Sequence, residues 1–96
     1  MVCEHVVYIL CCKDGSLYTG YTNNLDRRLS MHESGKGAKY TRGRGPFQVV
    51  FVEQFTTKEA AMQQEYRIKQ LSRTEKMLLI QKWQKETLQN EHSKEL

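Results

Sequence analysis

The chain has 96 residues, 39% of them apolar and 27% charged, the composition of one soluble globular domain. That excludes collagen, chain-wide disorder and a polytopic membrane protein. The net charge is +4, and the whole excess lies in residues 1–80, which hold twelve Lys/Arg against eight Asp/Glu, whereas residues 81–96 hold three of each. A compact basic domain points to an anionic partner.

Val6 to Leu10 is β-branched or aromatic at four of five positions, which predicts a strand over 5–12. This is also the longest apolar run, ending at Cys12, and it is far short of the roughly 20 residues a spanning helix needs. Glu4 and His5 precede it in place of a basic start with a cleavage site, so no export signal is expected and the protein is read as cytoplasmic. Three cysteines, two of them adjacent, make neither a disulfide framework nor a zinc site and read as inert thiols.

Lys13-Asp14-Gly15 is a turn, and Ser16 to Thr22 is a second strand. A two-residue loop would put Tyr8 and Tyr18 on opposite faces; a three-residue loop with Gly15 left-handed pairs Tyr8 with Gly20 and puts both tyrosines on one face. The local sequence is compatible with either.

A short helix follows, capped by Asn23 or Asn24, with Asp26 in its first turn, Gly35 suited to its C-terminal end, and Leu25 and Leu29 along its buried stripe. Arg28 and His32 fall four apart on one side of that stripe. Residues 35–46 hold four of the six glycines, the single proline and the cations Lys36, Lys39, Arg42 and Arg44, with Tyr40 among them. No acidic residue occurs between Glu33 and Glu53, so this loop is a candidate contact for a phosphate backbone.

Phe47 to Phe55 reads as a third strand. The capping box Thr56-Thr57-Lys58-Glu59 opens a helix to about Leu71, and Ser72-Arg73-Thr74-Glu75 opens another to about Trp83. The folded domain is expected over 5–82, with 83–96 a polar, frayed tail. Glu65 sits at the margin of the stripe made by Ala60, Ala61, Ile68 and Leu71, where a carboxylate needs a partner, either a basic side chain or a hard divalent cation. The order strand, strand, helix, strand, helix, helix makes a small α+β domain, its three strands covered by helices.

Val6-Val7-Tyr8, then nine residues, then Tyr18-Thr19-Gly20 resembles the paired motifs of the GIY-YIG nuclease domain. Arg28, ten residues past Tyr18, His32 four later and Glu65 match that family's arginine, His/Tyr position and metal-binding glutamate. The resemblance spans about residues 5–82 and is nearest to the small stand-alone bacterial members, which share the stretch Gly35 to Arg42. It implies a three-stranded antiparallel sheet flanked by helices, and it favours the three-residue turn. It further implies a metal-dependent DNA endonuclease, structure-selective rather than sequence-specific, of the kind that serves repair or recombination. Glu65 would hold one Mg²⁺ or Mn²⁺, Arg28 would neutralise phosphoryl charge, Tyr8 would act as base with its pKa lowered by a nearby cation, Tyr18 would position, and His32 would bond a tyrosine or shuttle a proton. Branched, flapped or nicked DNA is the expected partner, a protein partner is compatible, and no membrane is involved. The motif departs from the family at Val6 and Val7, where glycine and isoleucine are replaced, and at Tyr21, where several relatives carry lysine. The competing reading is a nucleic-acid-binding module of nuclease fold with little turnover, or an interaction domain that offers the basic loop to an acidic protein.

Overall fold

A computed structural model describes residues 5–37 and 41–95, with side chains as far as Thr87. The elements are β1 (His5–Cys11), β2 (Leu17–Thr22), α1 (Leu25–Glu33), β3 (Gln48–Phe55), α2 (Lys58–Lys69) and α3 (Arg73–Glu95). The sheet order is β2-β1-β3, antiparallel throughout, so the first strand is central. This is the expected α+β architecture.

The hairpin resolves the turn. Leu10 pairs with Tyr18 and Tyr8 with Gly20, the register of the three-residue loop. Gly15 takes a φ of +86° there, and its N–H donates to the Cys12 carbonyl. An L-side chain at that φ would be strained, so glycine selects this loop over the tighter one. A bulge between Ile9 and Leu10 shifts the pairing of β1 with β3.

Alternation along β1 separates two jobs. Val7 and Ile9 enter a core with Phe51 of β3, Ala61 and Ile68 of α2 and Ile80 of α3. Tyr8 and Leu10 point to the other face, and both are fully buried. Phe51 and Trp83 pack tilted at a ring separation of 6.2 Å, tying β3 to α3.

Helix ends follow sequence closely. Asn24 caps α1 by accepting from the Arg27 N–H. At the other end the Gly35 and Lys36 N–H groups donate to the His32 and Met31 carbonyls, a Schellman closure with Gly35 left-handed. Ser72 and Glu75 exchange hydrogen bonds in a complete capping box at the start of α3. For α2 the cap is Thr57, one residue later than the box read from sequence, because its hydroxyl accepts from the Ala60 N–H.

Two expectations need correction. The buried residue of α1 is His32, while Leu25 and Leu29 are only half-buried. Helix α3, expected to end near Trp83, runs on to Glu95. No glycine or proline occurs after Trp83, and Gln, Lys, Glu and Leu propagate a helix readily. Among the described residues no helix is long and apolar enough to cross a membrane, and Cys11 and Cys12 are free thiols.

Candidate active site

The site grows from the pairing of Tyr8 with Gly20 across the hairpin. A Cβ on Gly20 would sit 2.6 Å from the Tyr8 hydroxyl and 2.9 Å from the Tyr18 ring. The glycine of Tyr18-Thr19-Gly20 is therefore the floor on which both phenols lie, with ring centroids 6.3 Å apart. Tyr8 has no exposed surface, whereas Tyr18, on the edge strand, is half-buried.

Helix α1 brings Arg28 and His32 over the phenols. Arg28 Nε donates to the Tyr8 oxygen at 3.4 Å, and Tyr8 Oη lies 2.9 Å from His32 Nε2. His32 Nδ1 lies 2.8 Å from Thr41 Oγ1. Each imidazole nitrogen thus has a hydroxyl partner, and the tautomer decides which of each pair donates. The result is a continuous chain from Arg28 through Tyr8 and His32 to Thr41. The imidazole is 2% exposed and is wedged edge-on against Tyr18 at 5.4 Å and Phe47 at 5.9 Å. Gly37 presses on it so closely that any Cβ there would overlap the ring.

Electrostatics follow from this burial. Desolvation pushes the His32 pKa below its ordinary value, and the Arg28 charge adds to the effect, so the imidazole stays neutral. Burial pushes the Tyr8 pKa up; the Arg28 hydrogen bond opposes this without overcoming it, and the Tyr18 and Glu65 charges add to the rise. Arg28 is held more firmly protonated, chiefly by its bond to Tyr8. The expectation that a cation lowers the Tyr8 pKa is therefore corrected: the cation is present, but desolvation outweighs it.

Glu65 comes from α2, which packs along β1 and β2. Its side chain is 15% exposed, and its charge adds slightly to the upward push on the Tyr8 pKa. Lys69, one turn on, sits 3.2 Å from its Oε2. Half of the lysine side chain is exposed, and such i,i+4 pairs contribute only about 0.3–0.5 kcal/mol. No cluster of three His, Cys, Asp or Glu side chains suited to a metal occurs among the described residues. One carboxylate that already draws a cation fits a hard divalent ion that keeps its waters and takes other ligands from phosphate.

The basic loop divides. Lys36 and Arg42 are exposed. Arg44 instead reaches back 2.5 Å to Asp14 in the hairpin turn, and the Lys13 N–H donates to its carbonyl. The acid missing from the loop's own sequence is supplied by the β1–β2 turn, thirty residues away. Lys39 and Tyr40 lie outside the described residues. Tyr21, at the position where the motif departs, bonds His5 at 2.8 Å and contributes nothing to the phenol pair. Thr41 and Gly37 were not singled out from sequence as site residues. Nothing local links them to His32; only a count of glycines in the loop hinted that backbone must approach something closely.

Two phenols, a guanidinium and a buried imidazole meet on one face of the sheet, the arrangement of a nuclease-type domain. Residues 4–78 match the GIY-YIG catalytic domain, and the chain belongs to that family. It is similar to a UPF0213 protein of Oceanobacillus iheyensis, with 69% identity over 78 residues that cover 81% of this chain and 91% of the relative. A UPF0213 protein of Natronomonas pharaonis is 54% identical over 83% of this chain and 94% of its own length. Among solved structures, the solution NMR structure of the UPF0213 protein BH0048 from Bacillus halodurans matches with a TM-score of 0.55 and 61% identity, covering 80% of this chain and 82% of that one. The solution NMR structure of the E. faecalis protein EF2693 matches with a TM-score of 0.59 and 40% identity, covering 83% and 85%.

Proposed function

We propose that the protein is a divalent-metal-dependent endonuclease that hydrolyses DNA phosphodiesters, selecting DNA by backbone shape in the cytoplasm. The observation that carries this reading is the chain Arg28–Tyr8–His32–Thr41, because it sets a proton acceptor behind a phenol beside a phosphate-binding guanidinium. Recognition through shape fits a single compact domain that leaves the cations Lys36 and Arg42 exposed, where they can meet a phosphate backbone.

Arg28 takes a non-bridging oxygen of the scissile phosphate. Its bond to Tyr8, at 3.4 Å, is the longest of the chain, so a phosphate competes for the guanidinium and frees a lone pair on the phenol oxygen. A water admitted there gives its proton to the Tyr8 oxygen as the phenol proton passes to His32 Nε2. The water oxygen bonds to phosphorus and the bond to the leaving oxygen breaks. A phenol that stays protonated at rest suits a relay, where a phenolate base would need the opposite shift. Thr41 holds the imidazolium in place through Nδ1–H, and Tyr18 orients the phosphate from the open side. A Mg²⁺ or Mn²⁺ held by Glu65 would supply Lewis-acid neutralisation of the leaving oxygen.

The test is a cleavage assay on linear, nicked, flapped and branched DNA and on RNA, with Mg²⁺, Mn²⁺ or chelator. Metal-dependent cutting that Glu65→Gln abolishes while binding persists supports the reading. Binding without cutting in any metal replaces it with the binding-module alternative.

A further inference from the structure

The turn between β1 and β2 is held from two sides. Arg44 Nη1 of the basic loop meets Asp14 Oδ2 at 2.5 Å, and Arg73 Nη2 at the start of α3 donates to the Gly15 carbonyl at 3.0 Å. The Asp14 carboxylate is prepared for its cation, because its other oxygen, Oδ1, accepts from the Ser16 N–H at 3.0 Å and from the Ser16 hydroxyl. Those Ser16 bonds, with Arg44 beside them, hold the carboxyl below its usual pKa and keep it charged. The loop also joins the turn through its backbone, where the Lys13 N–H donates to the Arg44 carbonyl at 2.9 Å. A half-exposed ion pair adds little stability in water. What it decides is where the loop docks.

The docked loop carries Thr41. The Arg44 N–H donates to the Thr41 carbonyl at 3.1 Å, closing a tight turn in which Gly43 takes a φ of +75°. That turn fixes Thr41 relative to Arg44. Thr41 is 1% exposed, and its hydroxyl lies 2.8 Å from His32 Nδ1. A line of contacts therefore runs from Asp14 through Arg44 and Thr41 to His32 and on to Tyr8. One hairpin supplies both ends of it, Tyr8 from β1 and Asp14 from the turn that follows. We propose that Asp14 and Arg44 are positioning residues, which fix the His32 imidazole against Tyr8 by docking the Thr41 turn on the hairpin. Arg44 then belongs to the scaffold of the site and not, like the exposed Lys36 and Arg42, to the surface offered to DNA. This rests on the nuclease reading and deepens it, since a misplacement of about 1 Å can cost about 10²-fold in rate.

The experiment measures single-turnover cleavage, and DNA binding over a range of salt, for the full chain as wild type, Asp14→Asn, Arg44→Gln, their double variant and Arg42→Gln. Asp14→Asn and Arg44→Gln should each slow the chemical step about tenfold, less than the full cost of a misplaced group. The double variant should lose no more than either alone, because both break one link. Arg44→Gln should leave the salt slope of binding near the wild-type value, whereas loss of a phosphate contact lowers it by about one unit, the result expected for Arg42→Gln. Arg44→Lys, which keeps a cation opposite Asp14, should recover the wild-type rate. The imidazole nitrogen NMR signals of His32 in the DNA-free chain give a readout that needs no turnover. They should shift in Asp14→Asn and Arg44→Gln and stay in place in Arg42→Gln, with melting temperatures nearly unchanged throughout. A wild-type rate with unmoved His32 signals in Arg44→Gln overturns the positioning role and leaves the nuclease reading standing. Shifted His32 signals in a chain that cuts no DNA in any metal overturn the nuclease reading and leave the link from Asp14 to His32 in place.

Discussion

Two tyrosine–histidine pairs stand on opposite faces of the central strand. Tyr8 meets His32 at 2.9 Å, and His5 meets Tyr21 at 2.8 Å. In length they are nearly the same bond. Tyr8 and His32 are buried, with a guanidinium on one end and a threonine hydroxyl on the other. His5 and Tyr21 are half-buried and stack their rings at 6.0 Å, and this is their only side-chain hydrogen bond among the described residues. The difference teaches that phenol–imidazole contacts of nearly equal length can sit in very different electrostatic surroundings. Desolvation keeps the imidazole neutral in the first pair, and Arg28 gives its phenol something to bind.

Substitutions that break or sharpen this contrast rank by expected effect. Glu65→Gln should reduce cleavage at least about 10²–10³-fold, the scale of losing one group that stabilises transition-state charge, with DNA binding almost unchanged. Equal loss of binding would make Glu65 a structural residue. Tyr8→Phe should cost about 10²-fold in the chemical step, the size of a general acid–base contribution, while Tyr21→Phe leaves the rate alone. Single-turnover kinetics decide it, and matching losses would erase the distinction between the faces.

Gly20→Ala drives a methyl group into both phenols and should destabilise by about 1–3 kcal/mol, read from the urea midpoint. Smaller still is the pH effect of His32. Its native pKa lies below the unfolded value, so the unfolded chain binds a proton that the native chain refuses. Stability is then level above the unfolded histidine pKa of about 6.5 and declines as pH falls through it, until native His32 is itself protonated. A urea series between about pH 5 and 8 should lose this slope in His32→Gln. A slope that persists would place its origin elsewhere. His5→Gln, which removes a half-buried bond, should shift stability by only about 0.5–1.5 kcal/mol.

Element boundaries were legible because they depend on neighbours in the chain. Asn24, Gly15, Gly35 and Ser72 with Glu75 do their work within four residues, and each was readable as a cap or turn. The fate of Arg44 was not, since its acid lies in the hairpin, thirty residues back. Lys39 and Tyr40 of the same loop lie outside the described residues and add nothing to that comparison. The direction of the Tyr8 shift was misjudged for a related reason. Charge is visible in a sequence, but desolvation is set by everything that packs around the group, here Gly20, Tyr18, His32 and the guanidinium.

Alone, the amino-acid order determined the succession of three strands and three helices and the ordered set Tyr8, Tyr18, Arg28, His32 and Glu65 that marks the family. These are consequences of backbone propensity and of residue type at fixed spacing. Only the tertiary structure decided which phenol is sealed and that Thr41 completes the chain. Those outcomes depend on burial and on partners distant in sequence, and both exist only once the sheet and helices have closed on one another.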